Sequence, residues 1–358
     1  MKKIEESIQK VLANTTDSLL SIKAIDLNLK PVISIDGKNL DINLCAGFPS
    51  GFLNESLLPQ LTLALDQELS EYKINLTIDH FIKAHRTQLI GKGLRGVKNT
   101  IAIASGKGGV GKSTVAVNFA AALARFGAKV GILDADIYGP SIPIMLGKVE
   151  PIQISGDNYL PTFAHGIHAM SIGYLMDGEP ALIWRGPMLA KSMIEMVNIT
   201  LWDELDYLII DLPPGTGDIQ LSLVQKIPLT AAVIVTTPQN VATLDAEKAL
   251  KMFAKTNIDV LGIIENMSLH VCSHCGNQEE IFSGDGALQL CNNYNCKLLG
   301  RLPLDKQISK NCDEGIPTAT IKADELALHF IKAALTGALE LSKRPLNYAG
   351  KFPEIVVE

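Results

Sequence analysis

The sequence predicts an α/β protein: a three-layer sandwich on a mainly parallel sheet, preceded by a small α+β domain. Three observations predict it. Short, wholly apolar runs end in polar or Pro/Gly loops and alternate with helix-period stretches, the pattern of a doubly wound sheet. Hydrophobic residues make up 47% of the chain and aromatics only 5%, which suits strands buried on both faces and read as continuous aliphatic runs. Charged residues are 20% of the 358, a balance that favours a large buried core over disorder.

The elements follow in order. Residues 1–20 read as a helix with Ile4, Ile8, Val11 and Leu12 on one face. Residues 28–45 hold two strand-like runs broken by a hairpin turn at Asp36-Gly37-Lys38, and Leu40 to Leu44 alternate at period two. Residues 56–70 read as helix and Tyr72 to Ile78 as strand. These make a small α+β domain over 1–90. In 91–99, Gly91, Gly93 and Gly96 alternate with Lys92, Arg95 and Lys98, the composition of a flexible basic linker. A larger domain is expected over 100–345. Its strands are read at Ile101–Ala104, Val130–Leu133, Tyr207–Ile210, Ala231–Val235 and Val260–Ile264, with a helix over Val115–Phe126. A tail over 346–358 completes the chain.

Charge and hydropathy narrow the function classes. A net charge of −6 disfavours a general nucleic-acid groove. No apolar run approaches the roughly 18–20 residues that span a bilayer. The N-terminus turns acidic at once, without an apolar signal core. A cytoplasmic protein that binds neither nucleic acid nor membrane is expected. Of six cysteines, Cys272, Cys275, Cys291 and Cys296 crowd into 25 residues, while Cys45 and Cys312 stand apart. In a cytosolic chain this points to metal or redox chemistry rather than structural disulfides.

Gly106-Lys107-Gly108-Gly109-Val110-Gly111-Lys112-Ser113 fits G-x-x-x-x-G-K-[ST] in full, between a strand and a helix. Glycines let backbone N–H groups close around phosphate oxygens, and the helix N-terminus adds partial positive charge. Lys112 is expected on the β/γ-phosphates and Ser113 on Mg²⁺; Thr114 completes the nucleotide-binding set. Strand-end carboxylates beside such a loop hold Mg²⁺ or position the attacking water. Asp134, in Asp134-Ala135-Asp136, and Asp211, ahead of Leu212-Pro213-Pro214-Gly215-Thr216-Gly217-Asp218, take that place.

Lys107 adds a second lysine early in the loop. Lys-Gly-Gly-x-Gly-Lys-Ser resembles the deviant Walker A motif of the MinD/ParA/nitrogenase-iron-protein group of P-loop NTPases. The resemblance implies an ATP-built face-to-face homodimer in which Lys107 reaches the partner's nucleotide. It also implies roles for Asp136 in positioning water, for Asp211 as the Walker B aspartate, and for Gly215 in sensing the γ-phosphate. By the same resemblance, Asn266 and Pro303 lie at the purine.

Cys272-Ser273-His274-Cys275 follows Glu265-Asn266-Met267-Ser268. Alone, the spacing fits a redox pair, half a zinc site or half a cluster site. With Cys291 and Cys296 it spells Cys-x2-Cys-x15-Cys-x4-Cys, close to an intrachain zinc ribbon. The order of this pair after the phosphate loop, the Asp134–Ser141 and Asp211–Asp218 segments and Glu265–Ser268, and before Gly284-Asp285-Gly286, resembles the Mrp/ApbC family of iron–sulfur cluster carrier ATPases over about 95–340. That resemblance implies a 4Fe–4S cluster bridged by Cys272 and Cys275 of two subunits, slow Mg²⁺-dependent ATP hydrolysis, and transfer to apoproteins, with scaffold proteins as further partners. His274 is expected to be a solvated neighbour, and Cys45 stands out of register with the reactive cysteine of the family's N-terminal domain. Two rival readings fit the same residues. One is a MinD/ParA-type positioning or partition ATPase with an intrachain zinc site, for which residues 324–341 offer an amphipathic helix. The other is a reductase like the nitrogenase iron protein, whose cluster cysteines are single and widely spaced, unlike the close pair here.

Overall fold

The computed structural model describes residues 2–137, 139–147, 152–174, 186–272, 275–282 and 284–347, with 186–189 described through their backbone. Tyr138, Ser273, His274 and residues 348–358 of the tail lie outside these residues. The chain divides into two compact units, Met1–Lys83 and Ala84–Glu358.

The first unit packs α1 (Lys2–Asn14), α2 (Leu53–Ser56) and α3 (Leu58–Glu68) with β1 (Lys30–Asp36), β2 (Asn39–Ala46) and β3 (Lys73–His80). β1 and β2 form the antiparallel hairpin expected at Asp36–Lys38, and β3 adds parallel to β2. Ile4, Ile8 and Leu12 of α1, Leu40, Ile42 and Leu44 of β2, and Leu61 and Leu65 of α3 are all buried. The first helix stops at Asn14, short of residue 20. Asp17 there accepts from the Leu20 amide at 2.6 Å and from the Ser56 hydroxyl, and such side-chain bonding competes with helix. Cys45 is half-buried on β2.

The 91–99 stretch, expected as a linker, belongs to the second unit. Just ahead of it, Gln88 donates from Nε2 to the Val224 and Ile227 carbonyls, both at 2.8 Å, and accepts from the Leu229 amide at 2.7 Å. Gly96 accepts from the Leu205 amide at 2.7 Å. It has φ +73°, and a Cβ on it would sit 2.1 Å from the Trp202 carbonyl oxygen, so this glycine serves close packing rather than flexibility. Composition alone could not separate these uses.

The second unit contains β4 (Val97–Ala104), α4 (Lys112–Arg125), β5 (Val130–Asp134), α5 (Ile142–Met145), β6 (Gln153–Ser155), β7 (Asn158–Leu160), β8 (Thr162–Ala164), β9 (Ile167–Ser171), α6 (Gly186–Ile199), β10 (Leu205–Asp211) and α7 (Asp218–Lys226). It continues with β11 (Ala231–Thr236), α8 (Asn240–Lys255), β12 (Val260–Val271), β13 (Gln278–Glu279), α9 (Gly286–Tyr294), β14 (Lys297–Pro303), α10 (Lys306–Asp313) and α11 (Glu325–Ser342). The parallel order is β14-β12-β11-β4-β10-β5-β9, with β8 antiparallel on one edge and β13 antiparallel on the end of β12. The mixed α/β fold with a mostly parallel sheet is therefore the one the apolar runs predicted.

β5, β10 and β11 are buried along their whole length. Only helices on both faces can cover such strands. Ala116, Ala120, Ala121 and Ala122 let α4 lie close to the sheet, and α11 packs against α4 and β14. Residues 324–341, expected as an amphipathic surface helix, are thus α11, whose Phe330, Ile331, Leu335 and Leu339 are core residues. Among the described residues, no helix is long and apolar enough to cross a membrane.

Candidate functional site: a phosphate loop joined to a cysteine hairpin

β4 and β10 are neighbours at the centre of the sheet, and β5 follows on the other side of β10. Their C-terminal ends point the same way because the strands are parallel. That is where ligands bind in open α/β sheets. The chain leaves β4 at Ala104, passes through residues 105–111 and enters α4 at Lys112. Gly111 caps α4 with φ +83°, and a Cβ on it would meet the Asn266 amide nitrogen at 2.2 Å. Gly108 and Gly109 are exposed, with open space where a Cβ would stand. The Ser105 hydroxyl donates to the Lys107 carbonyl at 2.9 Å, and the Gly215 amide donates to the Ser105 carbonyl at 3.0 Å. The loop is therefore held at its base and open at its crown, as a phosphate cradle must be.

Lys112 is buried. Its Nζ donates to Asp211 Oδ1 at 2.5 Å, lies 3.3 Å from Ser113 Oγ and stands 3.9 Å from Asp136 Oδ2. Ser113 donates to Asp211 Oδ2 at 2.5 Å. Asp211 and Asp134 are fully buried and register partners on β10 and β5. Asp134 accepts from the Ile142 amide at 3.2 Å and from the Ser171 hydroxyl at 3.0 Å. Burial first, and the Asp211 carboxylate second, push its carboxyl up to about 7. Two carboxyls forced together in a dry site oppose each other's ionisation unless a cation joins them. Lys112 supplies one positive charge. The oxygen-only set of Ser113, Asp134 and Asp211 suits a hard divalent ion such as Mg²⁺.

Thus Gly106 to Thr114, Asp134, Asp136, Asp211 and Gly215 come together around one loop. Lys107 is half-buried and contributes a fixed carbonyl. Thr114 Oγ1 accepts from the Cys312 thiol at 3.9 Å, so Cys312 on α10 is a buried neighbour of the loop.

Asn266 was expected at a purine. In the structure its buried side chain donates to the Val110 carbonyl at 2.8 Å, bracing the phosphate loop across the sheet. Pro303 is buried at the end of β14. β12 runs on to Val271, well past the end read at Ile264. Its polar residues stay buried because each has a partner: Glu265 with Arg301, Asn266 with the loop, and Ser268 with the Leu302 carbonyl at 3.0 Å. Periodicity could not reveal these pairings, which join distant segments.

Cys272 and Cys275 lie between the end of β12 and the start of β13. The Cys272 amide donates to the Asn277 carbonyl at 2.9 Å, and the Gly276 amide donates to the Cys272 carbonyl at 2.8 Å. Only two residue pairs, His270–Glu279 and Val271–Gln278, close the ladder. Cys275 is exposed and Cys272 half-buried. Arg301, one of the residues sequence reading missed, lies behind this hairpin. It sits 3.1 Å from Glu265, 3.5 Å from Asp285 and 3.9 Å from Glu280. Burial raises the Glu265 carboxyl and Arg301 opposes that rise.

Cys291 and Cys296 do not join the turn. Cys291 is a core residue of α9, and Cys296 packs against the same apolar cluster. Among the described residues no three His, Cys, Asp or Glu side chains are gathered to hold a metal. Among the described residues the four-cysteine zinc arrangement expected as an alternative is not assembled, and α9 buries Cys291.

A phosphate loop at the end of a central parallel strand, with a lysine and two strand-end carboxylates converging on it, defines a P-loop nucleoside triphosphatase. Residues 96–336 match the ParA family model described as the NUBPL iron-transfer P-loop NTPase, and the chain belongs to that family. It is 44% identical over 344 residues to the iron–sulfur cluster carrier protein of Haemophilus influenzae, covering 94% of this chain and 92% of that one. It is 50% identical over 266 residues to the protein of the same name in Escherichia coli, covering 74% and 72%. The solved nucleotide-binding protein of Archaeoglobus fulgidus in complex with ADP is 39% identical, with 62% of this chain and 87% of that chain aligned at a TM-score of 0.55.

Proposed function

We propose that this protein is an ATP-dependent iron–sulfur cluster carrier that holds a 4Fe–4S cluster between two copies of itself and passes it to apoproteins in the cytoplasm. The observation that carries the reading is the placement of Cys272 and Cys275. They follow the end of the strand that also carries Asn266 onto the phosphate loop, Cys272 half-buried and Cys275 exposed. Two soft thiolates leave a cluster half-coordinated by one chain, so a second copy completes the four sulfurs. An exposed, shared cluster is also one that can be handed on.

The nucleotide half follows from the same residues. Lys112 and the loop amides would hold the β- and γ-phosphates. Ser113, Asp134 and Asp211 would hold Mg²⁺, which supplies charge neutralisation for phosphoryl transfer. Asp136 lies where it can orient water, and Lys107 is the lysine available to a partner's nucleotide. Pro303 remains the candidate for the purine wall. Slow hydrolysis suits a switch, with nucleotide state biasing the strand that ends in the cysteines.

Anaerobic reconstitution with iron and sulfide tests the reading. The expected result is a cluster absorption band, about four irons per dimer, and loss of both in Cys272→Ala/Cys275→Ala. A normal iron content in that double variant, or a monomer that holds a full cluster, refutes it. Liposome and DNA co-sedimentation with ATP tests the positioning-ATPase alternative, and binding to either platform would favour it.

A further inference from the structure

The second pair of cysteines has no part in the function proposed above. Cys291 lies in the last turn of α9 and is buried, while Cys296 follows the helix and is half-buried. Asn295 ends the helix in the left-handed region at φ 49°, and both its amide and the Cys296 amide return to the Cys291 carbonyl, the latter at 3.0 Å. This cap folds the chain back over its own last turn. It brings Cys296 back over Cys291, and both side chains pack in the same apolar cluster.

We propose that Cys291 and Cys296 are a redox modification site that closes reversibly to an intrachain disulfide when the protein meets a low-molecular-weight disulfide such as glutathione disulfide. The helix cap already folds the Cys296 backbone onto the last turn of α9, so the two residues are neighbours with the helix intact. Their places in the fold assign an order. Cys296 is the thiol that solvent reaches, and the neighbouring Cys291 thiol holds it below the usual thiol range. Cys291 keeps its proton, its thiol raised by the neighbouring Cys296 and by burial. A thiolate is the attacking species in exchange, and access decides which thiol meets the oxidant.

The Cys296 thiolate attacks one sulfur of glutathione disulfide. A Cys296–glutathione bond forms and one glutathione thiolate leaves. Cys291 then gives up its proton to that thiolate or to water, and its sulfur attacks the Cys296 sulfur. The Cys291–Cys296 bond forms and the second glutathione leaves. Two protein thiols are oxidised and one glutathione disulfide is reduced to two glutathiones. A dithiol reductant reverses the exchange.

The site touches the strand that links the two functional centres. Helix α9 packs against β12, and Cys291 shares its apolar cluster with Ile263 of that strand; Glu265 and Asn266 follow on β12, and Cys272 comes directly after it. The proposal is nevertheless independent of cluster binding, and the chain provides a clean way to separate the two. Cleavage before Asp285 and after Lys297 releases a peptide that holds Cys291 and Cys296 but neither Cys272 nor Cys275.

The test treats the reduced full-length chain with excess glutathione disulfide, quenches with acid, alkylates under denaturing conditions and weighs this 285–297 peptide. The reduced protein is expected to carry two alkyl groups on it and the oxidised protein none, with a mass two hydrogens lower. Treatment with dithiothreitol should restore both alkyl groups. In Cys291→Ser, one glutathione should persist on Cys296, because the resolving thiol is gone. Two alkyl groups on the peptide after oxidation of the natural chain would overturn the proposal. An unmodified Cys296 in Cys291→Ser, or glutathione on Cys291 in Cys296→Ser at the same rate, would overturn the assigned order.

Discussion

The phosphate loop and the cysteine hairpin lie on the same unit and are built in opposite ways. The loop is braced from several sides: Gly215 and Ser105 at its base, Asn266 from β12, and Asp211 under Lys112. The hairpin has two ladder pairs, a turn of backbone bonds and an arginine behind it. A site that must recognise one triphosphate geometry gains from being pre-organised, since the ordering cost is met on folding. A site that must accept and release a cargo gains from weak local support and exposure. The difference teaches that the two halves of the proposed activity should fail separately.

The largest effect should come from the loop. Lys112→Ala removes the buried cation from Asp211 and from the phosphates, and nucleotide affinity should fall by about 3 kcal/mol, roughly 100-fold, measured by titration calorimetry. Cys272→Ala/Cys275→Ala should leave the same affinity within about twofold. Equal losses in the two variants would break the separation.

Next is a pH effect confined to the loop. Asp134 titrates at about 7 in the folded protein against 3.8 as its reference value. The folded state therefore holds a proton that the unfolded chain releases. The stabilising protonation is fully present below about pH 4 and is lost as pH rises through about 7. For protein stripped of nucleotide and metal, Asp134→Asn should flatten that decline and be the more stable at pH 8 by about 2–4 kcal/mol, read from urea midpoints. A variant with the natural slope would show that Asp134 is already ionised.

Asn266→Ala should then cost about 1–2 kcal/mol, because the Val110 carbonyl loses its donor in a buried setting. It should also weaken nucleotide binding severalfold. Arg301→Ala should cost about 1 kcal/mol, as its pairs are partly solvated, and hydrogen exchange at 275–279 should quicken while exchange in α4 stays unchanged. The smallest effect belongs to Cys275→Ser. An exposed turn residue should change thermal stability by less than about 0.5 kcal/mol, although cluster content should fall.

The phosphate loop was legible because its chemistry is written in adjacent residues. Eight positions from Gly106 to Ser113 fix the turn, the charge and the helix start together. The strand ends at Asp134 and Asp211 were legible because apolar runs stop there abruptly. The extension of β12 was not, since Glu265, Asn266 and Ser268 look like a loop until their partners are known. The linker reading failed for the same reason, because Gly96 is selected by the Trp202 backbone, far along the chain.

What the sequence by itself determined is the local chemistry: the triphosphate grip, the parallel α/β alternation, and a thiol pair able to bind soft metal. The tertiary structure alone decided which distant groups meet. It set Asn266 against Val110, Arg301 behind the cysteine turn, and Cys296 over Cys291 rather than beside Cys272. The physical reason is range. A backbone turn or a helix start is settled by a few neighbouring residues, whereas a buried polar side chain settles only when packing brings it a partner, and that partner can lie anywhere in the chain.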